Sequence, residues 1–402
     1  MARKTREELQ ELMKQEGVSR IWSWSKVHCF MNSKFEYMLK YIQHVPEDRQ
    51  DCIYATTGGL CHDVIEKFYT GLIAYEDMIN EFNDGWAMAY DIAQLKFDRN
   101  DEEHDKKIGK KYYDNLNHFF NNHSILTYKP MIEQFVKIKI GNNLFQGYID
   151  CCFKDDDGNY HIVDWKSSSI YKGKKADDEC GQLVLYSIAL NQMGIPFENI
   201  RIAWNFLKYC TIQYEQANGA VKERDVERYK IGESLQSNAR MWLKKFGYEE
   251  DEVDKYLMNL IDANSIHVLP KEVQEKYIIK DCYVYVPLTS DIIHKWETNV
   301  INTINDILLR EKDYEETHSE NCFWDSEDDV KSQSYYFSTL SGYSPSLNKP
   351  YGKYLDKLNM QRTGGSIFCE VGSALDDDND ASSLVSVSVF DDNDDLSWLY
   401  SL

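Results

Sequence analysis

Residues 144–166, LFQGYIDCCFKDDDGNYHIVDWK, place two acids and a lysine where chemistry can use them. Two apolar-rich runs, 144–153 and 160–166, flank an Asp-Asp-Asp-Gly-Asn turn, and Asp-Gly between such runs signals a β-hairpin. Side chains alternate faces along a strand, so Asp164 and Lys166 share one face and Trp165 takes the other. Asp150 lies near the exit of the first strand, where pairing across the turn can bring it close to Asp164. Neighbouring carboxylates repel each other. A divalent cation removes that penalty, and hard oxygen donors suit Mg2+ or Mn2+. A lysine beside them acts as a point charge that orients a metal-bound water or steadies a phosphate. An Asp-x-Lys triplet alone is common on strands; the longer string around it is not.

Two further patterns frame the hairpin. Upstream, Gly58-Gly59-Leu60-Cys61-His62 opens a helical stretch in which His62 and Glu66, four apart, share a face. Downstream, Gln182 and Tyr186 stand i, i+4 on an apolar helix, LVLYSIAL, whose leucines core packing explains but whose glutamine and tyrosine it does not. In this order the four patterns resemble the RecB-type branch of the PD-(D/E)XK nuclease superfamily: G-x-x-x-H; then G-x-(I/V)-D, here Gly147-Tyr148-Ile149-Asp150; then (I/V)-(I/V)-D-x-K, here Ile162-Val163-Asp164-Trp165-Lys166; then Q-x-x-x-Y. The resemblance covers about residues 20–210. It implies an α/β fold, a mixed sheet flanked by helices, and a metal-dependent deoxyribonuclease using Mg2+ or Mn2+, exonuclease ahead of endonuclease, in recombination, repair or phage DNA metabolism.

It also implies roles. His62, Asp150, Asp164 and the backbone carbonyl of Trp165 would bind the metal, and Lys166 would position the attacking water. Gln182 and Tyr186 would sit near the DNA backbone and the active site. Glu133, at the head of an alternating run, is a possible third acid, with a strand-end surface residue the equal alternative. Glu66 either orients His62 or is solvated. Lys172, Lys174 and Lys175 follow the catalytic strand and would contact phosphate, or form a solvated loop. The competing reading is a nuclease fold kept as a binding or regulatory subunit of a DNA-processing complex.

Many RecB-type members hold an iron–sulfur cluster on four cysteines. Ser23 and Ser25 match that pattern's S-x-S, but Ser33 stands at the first cysteine position and Asp325, after Cys322, at a later one, so no cluster is expected. The ten cysteines contain no C-x-x-C, and free thiols are expected. No apolar run of membrane-spanning length or signal peptide is visible, so a cytoplasmic protein is expected, in the host cytoplasm if phage-encoded, as the Asn-, Tyr- and Lys-rich composition hints.

The formal charge of −22 is awkward for a DNA-binding protein. Eight Asp in 376–395 account for part of it, yet the remainder is still at −14. A cleft needs positive potential only locally; otherwise a helicase, recombinase or single-strand-binding protein would deliver the DNA. The organisation read from pattern is a core over 1–215 with a polar helical insert or lid at 84–122, a mainly helical 216–340 packing on it, and a weakly structured 341–402 ending in an acidic, apolar-tipped tail. Within it, 54–83 reads as one helix capped by Thr56 or Thr57, 219–262 as helical, and His104 and His123 as solvent-facing.

Overall fold

A computed structural model describes residues 3–364. They form the expected α/β architecture around a seven-stranded mixed sheet: β1 (Ile21–Ser23), β2 (Met131–Ile140), β3 (Asn143–Lys154), β4 (Tyr160–Lys166), β5 (Ile200–Glu215), β6 (Val221–Glu227) and β7 (Tyr277–Val286). Strands β2, β3 and β4 make an antiparallel meander, and β1 lies parallel to the start of β3. β4 and β5 are parallel, so a helical crossover must join them. β5 then pairs antiparallel with both β6 and β7, its register shifting between Asn205 and Cys210.

Helices α1 (Arg6–Glu16), α2 (Trp24–Asn32), α3 (Lys34–Tyr41), α4 (Ile53–Tyr69), α5 (Met78–Trp86) and α6 (Glu102–Asn122) precede β2. α7 (Lys174–Glu179) and α8 (Gly181–Gln192) supply the crossover. α9 (Ile231–Lys245), α10 (Glu250–Ala263) and α11 (Lys271–Gln274) separate β6 from β7, and α12 (Ser290–Thr317), α13 (Glu327–Ser332) and α14 (Lys349–Gly364) follow β7. One core fills the space between the sheet and α2, α3, α8 and α12, with Tyr37, Leu183, Trp204 and Trp296. A second lies under α4, α5 and α6, with Phe82, Leu116, Phe120 and Trp165. A third joins α9 and α10 to the far ends of β5 and β7 through Ile212, Trp242, Leu257 and Tyr277. α8 buries every residue from Gly181 to Leu190, which fits a helix sandwiched between sheet and α12 rather than lying on a surface.

Several expectations need correcting. The 54–83 stretch is not one helix: α4 ends at Tyr69, Gly71 takes a positive φ of 78°, and α5 begins at Met78. Thr56 and Thr57 lie inside α4, whose N-cap is Cys52. The segment after 219 starts as β6, not helix, because Asn218-Gly219 makes a hairpin turn in which Gly219 (φ 81°) returns its N–H to the Gln216 carbonyl. His123 is buried, stacked on Phe119 with ring centroids 4.6 Å apart. The 84–122 stretch is polar only on its outer face; α6 turns Tyr112, Leu116, Phe119 and Phe120 inward. Residues 349–364 are helical, and the acidic tail at 376–402 lies outside the described residues. No described helix is long and apolar enough to cross a membrane.

The two ends of the described chain are tied together. Asp325 accepts from the Ser33 hydroxyl at 2.6 Å, from Lys34 N at 2.9 Å and from Phe35 N at 3.3 Å, so it caps the start of α3 from across the molecule. The two positions where the resemblance places cluster cysteines are thus joined by a buried hydrogen bond. Nearby, buried Glu36 accepts from Tyr336, Ser341 and Asn348, which fastens 336–348 over α3. Asp325→Ala would strand a hydroxyl and two backbone donors. A loss of about 2–3 kcal/mol is expected, read as a lower urea midpoint with unchanged m-value. A midpoint within error of wild type would show that the contact carries no stability.

Candidate active site

The β2–β3 register runs unchanged from Met131↔Cys152 to Ile140↔Asn143, which sets Glu133 opposite Asp150, although that pair alone is missing from the ladder. Glu133 has φ 49°, a left-handed conformation that a non-glycine residue adopts only under constraint. The β3–β4 ladder begins at Lys154↔Tyr160 and ends at Cys151↔Val163, so the next position sets Asp150 across from Asp164. Three acids therefore lie abreast on three neighbouring strands.

α4 brings His62 over this row. Its Nε2 is 2.8 Å from the Trp165 carbonyl oxygen and its Nδ1 is 3.6 Å from Asp150 Oδ2. Donor atoms of His62, Glu133 and Asp150 all lie within 4.8 Å of one another. Asp150 is 1% exposed; its Oδ2 accepts weakly from Trp165 N at 3.4 Å, and its Oδ1 has no hydrogen-bond partner among the described residues. A stranded buried acceptor costs about 1–3 kcal/mol. A bound cation would satisfy it, and the donor set fits one: two carboxylates, a carbonyl and an imidazole.

The titration behaviour agrees. Burial first, then the Asp164 charge, pushes the Asp150 carboxyl well above its ordinary range. Burial, then Asp150, raises Glu133 to about 7, with Glu66, one turn beyond His62, adding to the push. Burial lowers His62, which favours the neutral imidazole that ligates metals. Asp164 Oδ2 is 2.8 Å from Lys166 Nζ, and both side chains are buried. The sequence-derived set of His62, Asp150, Asp164, Trp165 carbonyl and Lys166 thus occupies one place, with Glu133 beside it.

Gln182 and Tyr186 brace the row from α8. Gln182 Nε2 donates to Tyr186 Oη at 3.1 Å, and burial followed by the Asp150 charge raises the Tyr186 hydroxyl well above its usual value. The tyrosine reaches β3 because residue 147 is glycine: a Cβ there would come within 2.8 Å of Tyr186 Cε1. This contact makes Gly147 and Tyr186, from separate motifs, one structural unit.

The three lysines after β4 have different surroundings. Lys172 is 3.3 Å from Asp225, exposed Lys174 begins α7, and Lys175 lies 4.9 Å over the Tyr171 ring with its buried Nζ lacking a hydrogen-bond partner among the described residues. Sequence reading passed over His28, whose pKa is lowered to about 4 by burial and then by the Lys166 charge, and which stacks on Trp24 with centroids 5.4 Å apart. The only signal was the i, i+4 spacing of Trp24 and His28 on α2.

A family model described as the PD-(D/E)XK nuclease superfamily matches residues 21–323. No curated protein matches the chain.

Gly147→Ala should force the Tyr186 ring away from β3 and cost about 1–3 kcal/mol. Combined with Tyr186→Ala, it should cost less than the sum of the single changes in a double-mutant cycle by chemical denaturation. Strict additivity would show that the two residues do not pack as one unit.

Proposed function

The chain belongs to the PD-(D/E)XK nuclease superfamily, and on that premise we propose that it is a metal-dependent DNA nuclease hydrolysing phosphodiester bonds. The observation that carries this reading is the row Glu133–Asp150–Asp164 beneath His62, with an orphaned Asp150 oxygen and a buried lysine paired to Asp164. His62, Glu133, Asp150 and the Trp165 carbonyl would hold the metal, with Asp164 at its edge. When bound, such an ion polarises a phosphoryl oxygen and lowers the pKa of a water ligand. Carboxylates and a neutral imidazole together favour Mn2+ alongside Mg2+.

The protein's own groups do the rest. Asp164 fixes the Lys166 ammonium on the same strand face, where its charge can steady a phosphate oxygen or orient the attacking water. Gln182 and Tyr186, joined by a hydrogen bond, stand on the α8 side of the site. Exonuclease action in recombination, repair or phage DNA metabolism follows from the RecB-type pattern in the sequence. A purely regulatory subunit would have no use for a buried acid row that repels itself.

Asp164→Ala and Lys166→Ala should each lower cleavage of linear DNA in Mn2+ by about 1,000-fold or more while circular dichroism stays native. An Asp164→Ala protein that still cleaves at the wild-type rate would falsify the assignment. Chelation with EDTA should abolish cleavage and Mn2+ restore it. Saturating Mn2+, at about 100 times its Kd, should also stabilise the wild type by about 2.7 kcal/mol. His62→Ala should lose most of that increment, so metal binding is read without activity.

A further inference from the structure

We propose that Arg3, on the arm preceding α1, is a further phosphate-binding residue of this site. The inference rests on the nuclease reading above and adds a residue outside the matched 21–323.

α1 is fixed in position and direction. Thr5 and Glu8 form a capping box at its start, and Gly17, with φ 68°, ends it. Leu9 and Met13 pack on Ile21 and Leu144. At the C-terminal end Glu16 pairs with Lys137 and Lys139 of β2. Those lysines stand opposite Gln146 and Leu144, so α1 ends over that part of the β2–β3 pair. Its start lies further along the same pair. Lys4 N donates to Tyr148 Oη at 2.7 Å, and Lys4 Nζ sits 5.0 Å over the Phe135 ring, with Phe135 and Tyr148 opposite each other in register. Two residues further in that direction stand Glu133 and Asp150.

The helix therefore points its leading arm at the acid row. Lys4 Nζ is held by Glu8 at 2.9 Å. Arg3 goes on: its guanidinium lies 5.8 Å over the Tyr148 ring, and its charge bears on both Glu133 and Asp150. Once a cation neutralises those carboxylates, a guanidinium whose charge reaches them faces the anionic ligand of that cation. For a nuclease this is a DNA phosphate, which Arg can grip through two parallel N–H donors. In a chain of net charge −22 such a local cation is what a DNA cleft requires.

The test is fluorescence anisotropy of a fluorescein-labelled oligonucleotide, with Ca2+ as a non-cleaving ion, across a salt series, on the full chain. Arg3→Ala should weaken binding about tenfold and flatten the log Kd against log salt slope by roughly 0.7–0.9, one phosphate contact's share. Arg3→Lys, which keeps the charge but not the fork, should restore the slope and only part of the affinity. Mn2+ affinity without DNA should be unchanged or tighter in Arg3→Ala. Wild-type affinity and slope in Arg3→Ala would overturn the proposal, as would lost affinity with an unchanged slope or with weakened Mn2+ binding, either of which would mark the arm as structural. A wild-type protein that binds no DNA would instead overturn the nuclease reading, and the proposal with it.

Discussion

Setting Glu133, Asp150 and Asp164 at adjacent register positions of β2, β3 and β4 presses like charges together inside the fold, and much of the surrounding structure answers that repulsion. Two unit charges about 4 Å apart interact by roughly 4 kcal/mol at an effective dielectric of 20. That is a large share of the roughly 5–15 kcal/mol by which a domain is stable. Lys166 offsets one acid. Burial and the neighbouring acids push the Glu133 and Asp150 carboxyls upward, with His62 easing Glu133 and Lys166 easing Asp150. A fold holds such an arrangement when a ligand completes it, and a divalent ion is the ligand with the charge to do so.

The scaffold explains how the row stays rigid. Strand β5 pairs with β4 over its first half, with β6 over its second and with β7 along both, so β4 is locked to a second sheet segment and its own core. α8 sits buried against the first core and carries Tyr186, hydrogen-bonded to Gln182, to Gly147. The N- and C-terminal segments then close around α3, where Asp325 and Glu36 receive donors from distant parts of the chain. These are polar contacts placed where single hydrogen bonds join segments some 290–312 residues apart. Losing one therefore loosens more than its own neighbourhood.

The hairpin was legible because strand parity is rigid: once the Asp-Gly turn is recognised, Asp150, Asp164 and Lys166 follow from counting. His62 and the Gln182–Tyr186 pair were legible from helical spacing. Three things were not. The left-handed backbone at Glu133 leaves no mark in residue type, so the sequence alone does not fix its place in the row. Asn218-Gly219 did carry a turn signal, but it stood before a helical pattern that overrode it. His123 follows a polar run and reads as exposed, although the ring stacks on Phe119 inside the second core. Burial of a polar residue depends on which helix face turns inward, and α6 is amphipathic enough to mislead when only its overall polarity is weighed.

Net charge and local field act over different ranges, and this resolves the apparent conflict between an acidic chain and a nucleic-acid substrate. At physiological ionic strength the Debye length is about 8 Å, so exposed acids around the molecule act weakly on a phosphate seated among buried groups. What that phosphate would meet is Lys166 and a bound ion, with screening poor because the side chains around them are buried. A divalent ion would bring the three acids and Lys166 to a net charge near zero, so that a loaded site would no longer repel a phosphate. The residues that make the bare site costly are the ones that would bind the ion.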